Sequence, residues 1–163
     1  MRTLLIVYHS MTGGTVQMAH AAAAGARAET GIEVSLLRSA DARAGDVLEA
    51  DGYIFAAPEN LGSVAGMMKD FFDRTYYAAL DRINGKPYLS LICAGSDGRS
   101  AAQQIDRIAA GWRLKPIADP LIVCTRAQSP EQILAPKKID EGSLARCEEL
   151  GRTMAAGLHL GIF

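Results

Sequence analysis

The sequence predicts an α/β fold in three layers, with helices on both faces of a doubly wound, five-stranded parallel sheet of strand order 2-1-3-4-5. Short apolar runs alternate with helix-like segments, beginning with strand, helix, strand, helix and strand in the first 57 residues. This alternation is typical of parallel strands joined by right-handed crossovers. Glycine-containing loops follow the first, third and fourth runs. A length of 163 residues, 49% of them apolar, indicates one domain over residues 1–163.

The first half of the chain contains three predicted strands. Residues 3–8 are branched and apolar, as in a buried strand, and the alanine-rich residues 16–29 suit a helix that stops at Gly31. Residues 32–37 and 51–57 are the second and third strands, with a short helix near Val47 between them. Pro58 is expected to end the third strand.

The second half continues the alternation. A helix follows the loop at residues 58–64, and we expect its apolar side to face the core: Met68, Phe71, Phe72, Thr75, Tyr76, Ala79 and Leu80. The fourth and fifth strands are predicted at residues 87–94 and 121–125, with a helix over residues 100–111 between them. A proline-containing loop leads to a last helix over residues 141–158, whose apolar tail packs back or builds a homo-oligomer.

The segment Tyr-His-Ser-Met-Thr-Gly-Gly-Thr at residues 8–15 has the features of an anion cradle. It joins a strand to a helix, so N–H groups, hydroxyls and the helix dipole converge on one point. It contains no lysine or arginine, which excludes the triphosphate loop, and the dinucleotide pattern Gly-x-Gly-x-x-Gly is absent. The ligand that these exclusions leave is the phosphate of a mononucleotide, held without a cationic side chain. The alternative is a capped turn that binds no ligand.

The predicted strand order locates a ligand crevice between the carboxyl ends of strands 1 and 3, where the crossover direction reverses. Three loops meet there: residues 10–15, 58–62 and 94–98. Each contains glycine and small polar residues, which allow the backbone to approach a flat ligand. Any one of these glycines could serve an ordinary turn.

These residues resemble a known family. Residues 10–15 match the flavodoxin phosphate pattern Ser/Thr-x-Thr-Gly-x-Thr, and residues 58–62 and 66–75 resemble the flavodoxin-like NAD(P)H:quinone reductases of the tryptophan-repressor-binding-protein type. By this resemblance, the FMN phosphate is held by Ser10, Met11 (through its backbone), Thr12, Gly13, Gly14 and Thr15. The isoalloxazine lies between two loops, the first made of Pro58, Glu59, Asn60, Leu61 and Gly62 and the second of Ala94, Gly95, Ser96, Asp97 and Gly98.

The resemblance implies an FMN-dependent oxidoreductase with NAD(P)H as electron donor and a small-molecule acceptor. Asn60 and Leu61 stand where these reductases carry an arginine and an aromatic residue. The fourth-strand loop lacks the aromatic residue that flavodoxins stack on the flavin, so a nicotinamide could reach the ring. The alternatives are a flavodoxin-type carrier serving redox proteins and a fold that has lost its flavin. We expect the flavin to do the chemistry, with no catalytic side chain and with Glu59 lowering its potential.

Composition narrows the partners and the compartment. A formal net charge of −1 gives no electrostatic reason to expect nucleic acid or an anionic membrane. No apolar run approaches the roughly 20 residues of a membrane span, and the N-terminus does not read as a signal peptide. Cys93, Cys124 and Cys147 lack metal-site or disulfide spacing. We therefore expect a cytoplasmic protein without a metal site. Cys93 and Cys124 could form a redox pair, but a role as small, buried apolar side chains is favoured for both.

Overall fold

The computed structural model describes residues 1–163 and contains one principal parallel sheet. Its strands are β1 (Arg2–Tyr8), β2 (Ile32–Arg38), β3 (Gly52–Asn60), the two-residue β4 (Ser63–Val64), β5 (Pro87–Ala94), β6 (Lys115–Pro116) and β7 (Leu121–Cys124). The order runs β2-β1-β3-β5, with β6 and β7 both pairing parallel to β5 at the edge. This confirms the predicted order 2-1-3-4-5, because β6 and β7 together occupy the fifth position.

Helices cover both faces of the sheet. They are α1 (Gly14–Arg27), α2 (Ala44–Glu49), α3 (Gly66–Ala79), α4 (Arg99–Gly111), α5 (Pro130–Leu134) and α6 (Glu141–Leu160). α1 and α6 share one apolar core with the sheet, whereas α2, α3 and α4 share the other. No helix combines the length and the apolar character needed to cross a membrane.

The two cores are built from different residue types. The α3 and α4 face is aromatic, with Phe55 at the centre of a cluster that includes Phe72 and Trp112. The α1 and α6 face is rich in alanine and glycine, and the two helices lie backbone against backbone at Gly25 and Gly151. The close approach of α1 and α6 therefore depends on the absence of side chains at these two glycines.

Three local predictions were wrong. β3 does not end at Pro58 but continues to Asn60, and the predicted loop that follows is a hairpin in which Glu59 pairs with Val64. Proline is tolerated there because Pro58 occupies the last residue of β3 that pairs with β5. The third error is α5, which lies in what was expected to be a loop. The fifth strand is confirmed as β7, and the two-residue β6 is an addition to it.

The apolar side of α3 is also narrower than expected. Met68, Phe71 and Phe72 are buried as predicted, but Tyr76 is 36% exposed and Leu80 is 44% exposed. Leu80 lies beyond the last helical residue, at the C-cap. Both side chains come at the end of the helix, where fewer neighbours are available to cover them.

Candidate functional site

A cleft of about 520 Å³ opens at the carboxyl ends of β1, β3 and β5. Nine of the predicted site residues line it: Thr12, Pro58, Glu59, Asn60, Leu61, Gly62, Ala94, Gly95 and Ser96. Cys93, Thr125, Ala127, Gln128, Ile133 and Lys137 line it too. The three predicted loops are thus brought together, and the chain after β7 adds a wall that the sequence did not predict.

The turn between β1 and α1 presents unpaired polar groups. Gly13 adopts the left-handed conformation, with φ of 94°, and no side chain caps α1. The N–H groups of the first helical turn have no partner within the helix. Ser10 Oγ and Thr15 Oγ1 are both buried and lack a hydrogen-bond partner. Since an unsatisfied buried hydroxyl costs about 1–3 kcal/mol, this turn is suited to an oxyanion that would satisfy both hydroxyls.

Gly14 allows this turn to sit directly on the sheet. A Cβ at Gly14 would lie 2.6 Å from Cys93 Sγ and 3.4 Å from Lys137 Cβ. A larger residue would therefore push α1 away from β5, and the approach depends on the absence of a side chain. Met11 is 79% exposed, in keeping with a contribution through its backbone alone.

His9, next to the turn, has a structural position. Its N–H donates to Ala56 O over 3.1 Å, which continues the pairing of β1 with β3. Burial lowers the pKa of His9, and the nearby Arg38 charge lowers it further. The imidazole is therefore neutral at pH 7, and it gives the turn no positive charge.

Residues 137–139 are hydrogen-bonded to the turn and to the start of α1, although they lie far away in the sequence. Lys137 N donates to Thr12 O over 2.8 Å, and Gln17 Nε2 donates to Lys137 O over 2.8 Å. Ile139 N donates to Gln17 Oε1 over 3.1 Å. These bonds place the Lys137 side chain at the turn, where its Nζ lies 3.3 Å from Thr12 Oγ1. The turn therefore does have a cationic side chain beside it, contrary to the expectation, because the lysine comes from a segment 120 residues beyond Gln17.

The second wall of the cleft is the hairpin of β3 and β4. Its turn residues Leu61 and Gly62 have positive φ angles of 51° and 69°, the signs expected of a type I′ turn. The Leu61 side chain is fully exposed at the tip. An apolar group therefore projects over the mouth of the cleft from a short, hydrogen-bonded turn.

Glu59 and Gln104 tie this hairpin to α4. The Glu59 carboxylate accepts N–H bonds from Gly98 over 3.0 Å and from Ala101 over 3.1 Å, at the start of α4. In return, Gln104 Oε1 on α4 accepts from Val64 N over 2.7 Å and from Ser63 Oγ over 3.0 Å. The carboxylate thus caps the start of α4, a structural role that the sequence analysis did not predict.

The third wall is the loop from β5 to α4. Gly98 has φ of 84°, and a Cβ there would lie 2.6 Å from Ile122 Cγ2, so this position requires glycine. Asp97 does not line the cleft but forms an exposed ion pair with Arg99 over 2.7 Å. The hydrogen bond from Arg99 lowers the pKa of the Asp97 carboxyl. Of this loop, Ala94, Gly95 and Ser96 face the cleft.

The cysteines near the cleft lie on opposite sides of the sheet. Cys93 belongs to the core under α1 and α6, whereas Cys124 packs against the aromatic core. Burial raises the pKa of the Cys93 thiol, although the Lys137 charge acts against this. The two cysteines therefore cannot form a disulfide in this arrangement. Cys93 lines the cleft as a small, uncharged side chain.

Comparison with known proteins agrees with this geometry. A family model described as NADPH-dependent FMN reductase matches residues 43–127, just over half of the chain. The chain belongs to this family. FMN is therefore the cofactor that the family implies for the cleft, and the unpartnered hydroxyls of Ser10 and Thr15 fit its phosphate.

The curated relatives of this chain include both flavodoxins and NAD(P)H quinone reductases. A flavodoxin from Aquifex aeolicus is 38% identical over 98 residues, which cover 60% of this chain and 53% of the relative. An NAD(P)H dehydrogenase (quinone) from Acidithiobacillus ferrooxidans is 34% identical over 95 residues, covering 46% of this chain and 48% of that protein. The chain thus matches about half the length of these curated relatives. Among solved structures, a flavodoxin from the domain Archaea has a TM-score of 0.77 at 18% identity, covering 96% of this chain and 98% of that one. That likeness concerns the fold.

Proposed function

We propose that the protein is an oxidoreductase that binds FMN in the cleft and passes electrons from NAD(P)H to a small-molecule acceptor. The observation that carries the proposal is the pair of buried, unpartnered hydroxyls, Ser10 Oγ and Thr15 Oγ1, at the start of α1. A phosphate would complete their hydrogen bonding and would meet the positive end of the helix dipole. The proposed phosphate ligands are the six residues from Ser10 to Thr15.

The other walls suit a flat ring. The hairpin, with Asn60 next to its turn, and the small residues from Ala94 to Ser96 would hold the isoalloxazine between them. FMN itself supplies the electron-transfer chemistry when bound, so the chain's task is to bind, orient and partly shield it. No aromatic residue lines the cleft, which supports access by a nicotinamide and then by a small acceptor.

A second candidate is an electron carrier that exchanges electrons with protein partners. The fully exposed Leu61 side chain at the mouth of the cleft favours it, because an apolar tip beside a cofactor offers a docking contact. The flavodoxin from Aquifex aeolicus carries the name of such a protein. Steady oxidation of NADH or NADPH by the purified protein, with a water-soluble benzoquinone as acceptor, separates the two candidates.

The first test of the proposal is FMN binding. Titration of FMN with the protein is expected to quench the flavin fluorescence and to yield a yellow protein after gel filtration. Persistent fluorescence and a colourless protein would defeat the proposal. With FMN bound, nicotinamide oxidation that depends on the quinone supports the enzyme, and its absence favours the carrier.

A substitution at Thr15 sharpens this test. Thr15→Val keeps the side-chain shape but removes the unpartnered hydroxyl, so we expect the apo protein to gain up to about 1 kcal/mol of stability while FMN binding weakens. Urea unfolding and flavin titration measure the two effects. A loss of stability together with unchanged FMN affinity would mean that the hydroxyl serves the fold rather than a ligand.

A further inference from the structure

The ammonium group of Lys137 stands at the phosphate turn without an acidic partner. Its Nζ donates to Ile133 O over 2.8 Å, to Ala135 O over 2.6 Å and to Thr12 Oγ1 over 3.3 Å. All three acceptors are neutral, and Lys137 takes part in none of the ion pairs of the protein. A half-buried positive charge is therefore left uncompensated beside the turn.

The Lys137 side chain bonds the end of α5 through Ile133 O and Ala135 O, but residues 137–139 are held at the turn by other groups. The main chain of Lys137 is fixed by Thr12 O and by Gln17 Nε2, and the adjoining Ile139 N–H bonds Gln17 Oε1. The aliphatic stem contributes packing against Gly14 through its Cβ. The positive charge of Lys137 is thus not what holds residues 137–139 at the turn, and it can serve another purpose.

Thr12 links this charge to the cleft. Because Thr12 Oγ1 accepts the hydrogen bond from Lys137 Nζ, its own O–H remains free to donate. A hydroxyl polarised by an ammonium is a stronger donor, since hydrogen bonds in a chain strengthen one another. Thr12 and Lys137 both line the cleft, so the free O–H and the charge adjoin the same space.

We propose that Lys137 supplies the countercharge for a dianionic phosphate monoester at this turn, and that it thereby selects FMN over the uncharged riboflavin. The inference rests on the proposed FMN function and extends it to the choice between flavins. A phosphate monoester carries about −1.5 to −2 charges at pH 7. The turn itself offers only N–H groups and hydroxyls, whereas Lys137 adds a full positive charge that a flavin without phosphate cannot use.

The experiment compares FMN and riboflavin binding by fluorescence quenching in the full-length protein and in three variants. Lys137→Met removes the charge but keeps the stem, and Lys137→Arg keeps a charge. Lys138→Met is the matched control, because Lys138 is the exposed neighbour and takes part in no ion pair. Thermal unfolding of each apo variant shows that the proteins compared are folded.

We expect Lys137→Met to raise the dissociation constant for FMN roughly tenfold, as for the loss of one charge-assisted contact, and to leave riboflavin binding unchanged. Lys137→Arg recovers most of the FMN affinity, and Lys138→Met matches the parent protein. The salt dependence of FMN binding is also expected to weaken in Lys137→Met.

Two results would overturn the inference while leaving the proposed function intact. One is an equal loss of FMN and riboflavin affinity, which would make Lys137 a structural residue of the α5 turn. The other is unchanged FMN affinity in Lys137→Met. If the parent protein binds no FMN, the proposed function fails, and inorganic phosphate then tests the inference separately. The inference also fails if inorganic phosphate raises the melting temperature of the parent protein and of Lys137→Met equally.

Discussion

Removal of the Glu59 carboxylate should weaken the connection between two walls of the cleft. In Glu59→Ala, the N–H groups of Gly98 and Ala101 at the start of α4 lose their acceptor. The hairpin of β3 and β4 would then be held to α4 through Gln104 alone. We expect a loss of stability and, because the hairpin forms part of the cleft, a weaker hold on FMN.

The size of the effect follows from the two hydrogen bonds. A bond to a charged group contributes about 1.5–3 kcal/mol where it is buried, and removal of a helix cap costs about 0.5–2 kcal/mol. Glu59 is half-buried, so water can replace part of what is lost. We therefore expect Glu59→Ala to lower the free energy of unfolding by about 2 kcal/mol, or the melting temperature by about 4–8 °C.

Urea unfolding of the apo protein followed by circular dichroism measures this loss. Glu149→Ala is the matched control, because Glu149 is an exposed helical glutamate without an ion pair. Glu59→Gln should lie between the two, since its amide oxygen can accept one N–H bond while its NH₂ group cannot accept the other. If Glu59→Ala stays within about 0.5 kcal/mol of the parent protein, the carboxylate is effectively solvated and the capping argument is wrong.

Two further predictions concern the fold. In Gly151→Ala, the added Cβ would overlap the carbonyl oxygen of Ala22 and force α1 and α6 apart. We therefore expect the free energy of unfolding, measured in urea, to fall by about 3 kcal/mol or more. Gly111→Ala is the control and should be near neutral, because nothing lies within 4 Å of its added Cβ; equal effects of the two substitutions would refute the close helix contact. At Asp51, burial raises the carboxyl pKa, but the Thr3 N–H and the Arg2 guanidinium outweigh burial and bring it below the ordinary value. The stabilisation is therefore complete above about pH 4 and is lost as the pH falls through the folded-state pKa. Asp51→Asn should cost about 1 kcal/mol at pH 7, and the difference in stability should shrink as the pH falls below about 4. A difference that stays the same size in acid would contradict this assignment.

The positions of the strands and of the phosphate turn could be predicted from the sequence because they depend on local patterns. A buried parallel strand is a short apolar run, and glycines followed by an alanine-rich segment mark a strand-to-helix turn. The order of the strands was expected because five strands that alternate with helices favour the doubly wound order 2-1-3-4-5. Together these rules were sufficient to bring the loops at residues 10–15, 58–62 and 94–98 to one cleft.

The parts that were missed depend on contacts between distant residues or on unusual local choices. The hairpin turn uses Leu61 at a positive φ of 51°, where asparagine or glycine would have been the recognisable signal. Lys137 lies at the turn between β1 and α1 because of hydrogen bonds to Thr12 and Gln17, and no sequence periodicity relates residues that far apart. α5 did carry a readable signal, because Ser129 and Gln132 form a capping box around Pro130 at the helix start.

The bonds between Gln17 and residues 137–139 also set the order in which the cleft can be finished during synthesis. The turn between β1 and α1 is translated before the residues that complete its hydrogen bonding, which lie 120 residues beyond Gln17. At about 5–20 residues per second, that interval is on the order of 10 s. The turn therefore lacks these hydrogen bonds until residues 137–139 have been synthesised.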